Sequence, residues 1–191
     1  MDQIRKQLDI GCSGFTRTRD GYECQGIDIV PHPESQHIVR RDLTLETIPF
    51  EDNYFDLVTA YDFLEHLPFV LYFTVDVQID SKGKKSPILN RRDVMIELFN
   101  EVYRVLKDGG EFYLQSPIYP DKSVFQDPQH QSVWTDDTLN YFSGDYFGFH
   151  DHYGHKSRFE QVSKKLENGH VYATLKAIKN VPEETEYKLH Y

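Results

Sequence analysis

An apolar run that ends in a glycine bend, Leu8-Asp9-Ile10-Gly11-Cys12-Ser13-Gly14, constrains this chain more than any other feature, together with a second run ending in a carboxylate, Gly26-Ile27-Asp28-Ile29. Glycines at the exit of a buried strand allow a sharp turn and let backbone N–H groups approach a ligand. An acidic residue closing the next strand is placed to accept hydrogen bonds from ribose hydroxyls. The pair reads as a nucleotide-type cofactor pocket, although a G-x-x-G turn alone also joins ordinary strands to helices.

The rest of the chain supplies the frame for such a pocket. Short apolar runs near Gln7 to Ile10, Glu23 to Ile29, Ile38 to Arg41, Phe55 to Tyr61 and Gly110 to Ser116 alternate with other segments, which favours βαβ units and a mostly parallel sheet. Val94, Leu98, Val102, Val105 and Leu106 recur at helical spacing over Arg92 to Leu106, with Asn90 or Asp93 to cap the start and Gly109 beyond the end. Phe159 to Lys165 and Val171 to Ile178 read as a final antiparallel pair turning at Glu167-Asn168-Gly169. At 191 residues the chain suits a single domain, 1–191. Residues 69–91 form an inserted arm or hairpin with a basic tip, which reads equally as a lid or as the contact of a homodimer.

Further segments follow in a fixed order: Arg41-Asp42-Leu43, then Ile48-Pro49-Phe50-Glu51-Asp52-Asn53-Tyr54-Phe55-Asp56, then Leu64-Glu65-His66-Leu67, then Val105-Leu106-Lys107-Asp108-Gly109-Gly110. With the glycine bend, the series resembles the class I S-adenosylmethionine-dependent methyltransferases. The likeness is to small bacterial and phage members that carry L-D-I-G-C-G, G-I-D-I, L-P-F-x-D-x-x-F-D, L-E-H-L and V-L-K-x-G-G. It runs from Leu8 to Pro117. The resemblance implies an α/β fold: a Rossmann-like, doubly wound seven-stranded sheet, mostly parallel with an antiparallel terminal strand, in a three-layer sandwich. It implies S-adenosylmethionine as cofactor and a transferase activity.

By the same resemblance Asp9 would meet the methionine ammonium, and Gly11, Cys12, Ser13 and Gly14 would provide backbone donors and close approach. Asp28 with Ile29 would hold the ribose, Asp42 with Leu43 the adenine, and Tyr61 would stand at the edge facing the methyl group. Asp42 reads also as a loop cap. Two departures bear on this picture. Ser13 stands where the second glycine is usual and Phe15 where a third often stands, and Phe15 to Gly21 has no helical periodicity, so the helix after the first strand is expected to be reduced to a loop. These departures keep open a second reading, a cofactor-binding regulator or degenerate homologue without turnover. A dinucleotide oxidoreductase is disfavoured, because the full G-x-G-x-x-G spacing is missing.

Methyl transfer from a sulfonium is an in-line displacement, for which holding the acceptor in place supplies much of the rate. Asp62, Glu65 and His66 follow the fourth strand, on the side of the reacting group. His66 and His130 are candidate acid/base residues, since imidazole titrates near neutral pH. Each also reads as a structural histidine that bonds a loop. His130 lies in Asp127-Pro128-Gln129-His130-Gln131-Ser132-Val133-Trp134-Thr135, a segment that resembles one found after the fifth strand of these enzymes; Tyr119 and Trp134 are expected at the acceptor. His150-Asp151-His152-Tyr153-Gly154-His155 lacks the separated segments of a metal centre, and no metal is expected.

A net charge of −10 argues against bulk nucleic acid as partner and leaves a small molecule or a sugar or glycan acceptor. Two cysteines, Cys12 and Cys24, do not make a disulfide framework. No apolar stretch is long enough to span a bilayer and the first residues lack a signal peptide's apolar core, so a cytoplasmic setting is expected.

Overall fold

The computed structural model describes residues 4–30, 35, 37–143 and 153–180. Seven strands form one sheet: β1 Arg5–Ile10, β2 Tyr22–Asp28, β3 Ile38–Arg40, β4 Phe55–Tyr61, β7 Leu106–Pro117, β8 Phe159–Glu167 and β9 His170–Ala177. Their order is β3-β2-β1-β4-β7-β9-β8. The first five are parallel, whereas β9 runs antiparallel to both β7 and β8. The mostly parallel seven-stranded sheet and its antiparallel end are those the sequence leads one to expect.

Alternation along each strand decides what each face does. Leu8 and Ile10 of β1, Val58 and Ala60 of β4, Phe112 and Leu114 of β7, and Ala173 and Leu175 of β9 share the core. Helix α1, Val94–Val105, lays Val94, Met95, Leu98, Phe99, Val102 and Val105 on that core. The helix stops one residue short of its expected end because Leu106 turns directly into β7. Asp93 occupies the N-cap position without a side-chain cap bond, its carboxylate being paired with Arg91.

The other face of the sheet is polar at its centre. Gln7 and Asp9 are buried there, and the loop 15–20 crosses over them in place of a helix. Gln7 Nε2 donates to the Arg17 carbonyl at 2.8 Å while its Oε1 accepts from Arg19 N–H at 2.8 Å. Asp9 Oδ2 accepts from Arg17 N–H at 2.7 Å. Two side chains of β1 thus satisfy backbone groups that a helix would satisfy internally, and α1 is the one helix of more than four residues among the described residues. The expected reduction of the first helix is what the structure shows. The Arg17 guanidinium lies 4.7 Å from the centre of the Tyr61 ring and that of Arg19 lies 5.1 Å from Tyr113, which closes the loop down on β4 and β7.

The inserted arm is an antiparallel hairpin of β5, Leu71–Ile79, and β6, Lys85–Arg92, which hydrogen-bond only to each other. Its strands are exposed nearly throughout. The last short helix, α2, covers Ser123–Gln126. A 3-10 turn spans Thr138–Tyr141. The segment 150–152 lies outside the described residues. No helix among the described residues is long and apolar enough to cross a membrane.

Candidate active site

The order in which strands are added reverses between β1 and β4, and at that place the carboxyl ends of the parallel strands open a crevice. A cleft of about 620 Å³ occupies it. Gly11 and Ser13 line it from the end of β1, Asp28 and Ile29 from β2, Arg41, Asp42, Leu43 and Thr44 from beyond β3, and Asp62, Phe63 and His66 from beyond β4. Pro128, Gln129 and Gln131 close the far wall. A second cavity, of about 530 Å³ at the base of the hairpin, shares no residue with it.

The bend after β1 is left-handed at three residues: Gly11 at φ 68°, Ser13 at 50° and Gly14 at 88°. Gly11 is sterically obligatory, because a Cβ there would lie 2.8 Å from Phe63 Cβ and closer still to the Phe63 ring. Ser13 tolerates its conformation because its N–H donates to Asp28 Oδ2 at 2.8 Å, and Val30 N–H donates to Asp28 Oδ1 at 2.9 Å. Asp28 therefore shapes the bend as well as facing the cleft. A carboxylate offers about four acceptor positions, so these two bonds leave room for a diol. Asp42 Oδ1 accepts from both Thr44 N–H and Thr44 Oγ1, the loop-cap pattern, and Asp42 N–H donates to Glu46 Oε2. It also lines the cleft. The wall it belongs to is fastened from below by Arg104 of α1, which donates to the carbonyls of Ile48 at 2.7 Å and Phe50 at 2.8 Å and pairs with Glu101 and Asp52.

Several residues expected at the cofactor stand elsewhere. Asp9 is 1% exposed, outside the cleft lining, with Thr59 Oγ1 donating to its Oδ1 at 2.7 Å and Arg17 N–H to its Oδ2. The strand's alternation turns it to the loop-covered face, where burial raises its pKa. Its role is to hold the loop. Cys12 is buried beneath the bend, its thiol pushed up to about 11 by burial. Gly14 is likewise buried and outside the lining. Tyr61 shares the face of Asp9 and packs 5.2 Å from the Tyr113 ring, away from the cleft. Cys24 is free, as is Cys12.

On the acceptor side Trp134 is fully buried, stacked near Phe99 and Phe142, so it presents no ring to an acceptor; its place in the sequence beside polar residues hid a core position. Tyr119 is exposed outside the cleft. His66 does line the cleft, and the His130 ring stands edge-on to it at 4.9 Å between centroids. Glu65, beside His66 on the 3-10 turn Leu64–His66, is 2% exposed, and burial pushes its carboxyl up to about 7. Phe63 and the glutamines of the far wall escaped sequence reasoning. The signal for Phe63 was its position directly after the fourth strand, opposite a glycine.

The methyltransferase domain family model matches residues 8–75. No curated protein sequence matches the chain. Among solved structures, an S-adenosylmethionine-dependent methyltransferase from Archaeoglobus fulgidus is 18% identical with a TM-score of 0.53, covering 91% of this chain and 86% of that one. One from Methanosarcina mazei is 17% identical with a TM-score of 0.53, covering 92% and 94%. A methyltransferase of Haloferax volcanii, in complex with the activator Trm112, is 13% identical with a TM-score of 0.57, covering 93% and 84%. The cleft chemistry suits the cofactor of these proteins: its volume is that of a pocket for a molecule of this size, and the carboxylates of Asp28 and Asp42 face a ligand that carries hydroxyls, an amine and a sulfonium charge. The domain match on its first strands and the fold of the described sheet are those of S-adenosylmethionine-dependent methyltransferases, to which the chain is similar.

Proposed function

We propose that the protein methylates a small-molecule or sugar or glycan acceptor in the cytoplasm, binding S-adenosylmethionine between the Gly11–Ser13 bend, Asp28, and the Asp42–Leu43 segment. One observation carries the reading: a single cleft joins the bend and both carboxylates to His66, Asp62, Gln129 and Gln131. The cofactor supplies an electrophilic methyl group on a cationic sulfur. Asp28 accepts from the ribose hydroxyls while its other lone pairs keep the bend in shape. Asp42 and the Leu43 backbone meet the adenine edge. The acceptor lies toward His66 and the glutamines, which orient it for in-line attack, and that positioning contributes most of the rate. The acidic chain disfavours a polyanionic acceptor.

The test is a labelled-methyl assay on host extract, fractionated into small molecules, glycans, protein and RNA, with the Asp28→Asn variant in parallel. Label is expected in the small-molecule or glycan fraction, with cofactor affinity and labelling both falling at least about tenfold in Asp28→Asn. Label confined to RNA or protein overturns the acceptor class. Tight cofactor binding with label in no fraction returns the regulator reading.

A further inference from the structure

Glu65, His66 and His130 bring one carboxylate and two imidazoles together beside the cleft, their nearest ligand atoms all within 4.8 Å of one another. We propose that these three side chains form a binding site for a divalent transition cation, with its open coordination positions turned to the cleft that His66 lines.

Two of the three candidate ligands, His130 and Glu65, are oriented by a further group, the arrangement that metal-binding side chains need. Nδ1 of His130 is 3.0 Å from the Val124 carbonyl. A carbonyl only accepts, so Nδ1 carries the hydrogen and Nε2 of the neutral ring keeps a lone pair. Ser116 Oγ donates to Glu65 Oε2 at 3.1 Å. The backbone of the Glu65–His66 turn is tied to the chain that bears His130: Gln131 N–H and Ser132 N–H donate to the Glu65 carbonyl at 2.7 and 3.1 Å, and Gln131 Nε2 donates to the His66 carbonyl at 2.8 Å. Two segments far apart in sequence are thus locked together at the point where the three ligands meet. Ligand bonds of about 2.1 Å would draw the donor atoms to roughly 3.3 Å of one another, a contraction that side-chain rotation of the two half-buried rings can supply.

The donor set selects the ion. Two imidazoles and one carboxylate favour zinc, cobalt or iron(II) over magnesium or calcium, which prefer all-oxygen shells. Three protein ligands leave at least one position open, as in catalytic rather than structural sites. For its use, though not for its existence, the site rests on the methyltransferase reading: an open position beside the cleft takes an oxygen of the acceptor, which narrows the acceptor to an oxygen-bearing one. Nothing in the local spacing of the sequence shows this cluster, because His130 is remote from the Glu65-His66 pair and only the fold joins them.

The experiment titrates metal-stripped full-length protein with Co²⁺, read by its visible d–d absorption, and with Zn²⁺ by calorimetry. The wild type, His66→Ala, His130→Ala, Glu65→Gln and the double variant His150→Ala/His152→Ala are compared, with circular dichroism to check folding and S-adenosylmethionine binding measured on each. One cation per chain is expected, bound at least tenfold more weakly in His66→Ala and in His130→Ala, and unchanged in the His150/His152 double variant. No binding at millimolar Co²⁺ or Zn²⁺, or binding lost only with His150 and His152, overturns the site. A protein that binds the cofactor but takes up no added Co²⁺ or Zn²⁺ sinks the site and spares the methyltransferase reading. A bound cation with no affinity for the cofactor does the reverse.

Discussion

The contact between Gly11 and Phe63 makes a sharp prediction, because the bend that lines the cleft and the wall after β4 are set against each other there. Gly11→Ala places a side chain at φ 68°, which costs about 1 to 2 kcal/mol for a residue with a Cβ. The new Cβ also lies 2.8 Å from Phe63 Cβ and closer still to Phe63 Cγ, an overpacking that adds about 1 to 3 kcal/mol. The expected loss is therefore about 2 to 5 kcal/mol. Phe63→Ala alone gives up the partial burial of one ring, about 2 kcal/mol. In the double variant the overpacking vanishes while the backbone cost stays, so the two losses fall short of additivity by about 1 to 3 kcal/mol. Urea unfolding of the wild type, both single variants and the double variant measures this coupling. Losses that add to within about 0.5 kcal/mol would show that Phe63 does not lie on Gly11, and the geometry assigned to the bend would be wrong.

Arg104→Lys keeps the charge but not the fork that reaches two carbonyls and two carboxylates, and should cost about 1 to 3 kcal/mol in urea unfolding; an unchanged midpoint would mean the wall carrying Asp42 is held by other contacts. Replacing residues 73–90 by a short Gly-Ser turn should leave the thermal midpoint within about 3 °C of wild type, since β5 and β6 pair only with each other; a larger fall would show that the hairpin packs on the body. Burial raises the Cys12 thiol from 9.0 to about 11, with the charges of Asp9 and Asp28 acting in the same direction, so its thiolate at pH 8 is about 100-fold scarcer than in the unfolded chain. Iodoacetamide labelling followed by peptide mass spectrometry should be slower in the native protein by at least that factor and should quicken as pH rises; equal rates would place Cys12 at the surface.

Strand positions and the glycine bend at the cleft were legible because they depend on local pattern. Alternating or continuous apolar runs mark β1, β2, β4 and β7, and Gly11 and Asp28 fall at strand ends wherever the register settles. Asp9 and Tyr61 lie outside the cleft lining for a reason that the pleat supplies. Position along a strand fixes which end a residue occupies, but the face follows from alternation, and both residues share the face of Gln7 rather than that of Leu8. Trp134 misled because burial depends on what folds over a loop, here Phe99 and Phe142 from distant segments. The cluster of Glu65, His66 and His130 was invisible for the same reason, being a contact made only in three dimensions.

The polar pair in β1 explains how so small a protein keeps the cleft without the usual covering helix. A helix on this face would bury apolar residues against the sheet; Gln7 and Asp9 instead bind the backbone of the loop 15–20 with bonds of 2.7 to 2.8 Å, and Thr59 completes the network. Such a network is favourable only when every member is satisfied, since a buried polar group left without a partner costs about 1 to 3 kcal/mol. The loop is consequently fixed in one path, and that path brings Thr16 and Cys12 against Gly26, where a Cβ would lie 2.8 Å from either side chain. The backbone of β2 is pressed close to the bend, which is what lets Asp28 reach the Ser13 N–H. The Asp28 carboxylate that lines the cleft is thus placed by two residues that never touch it.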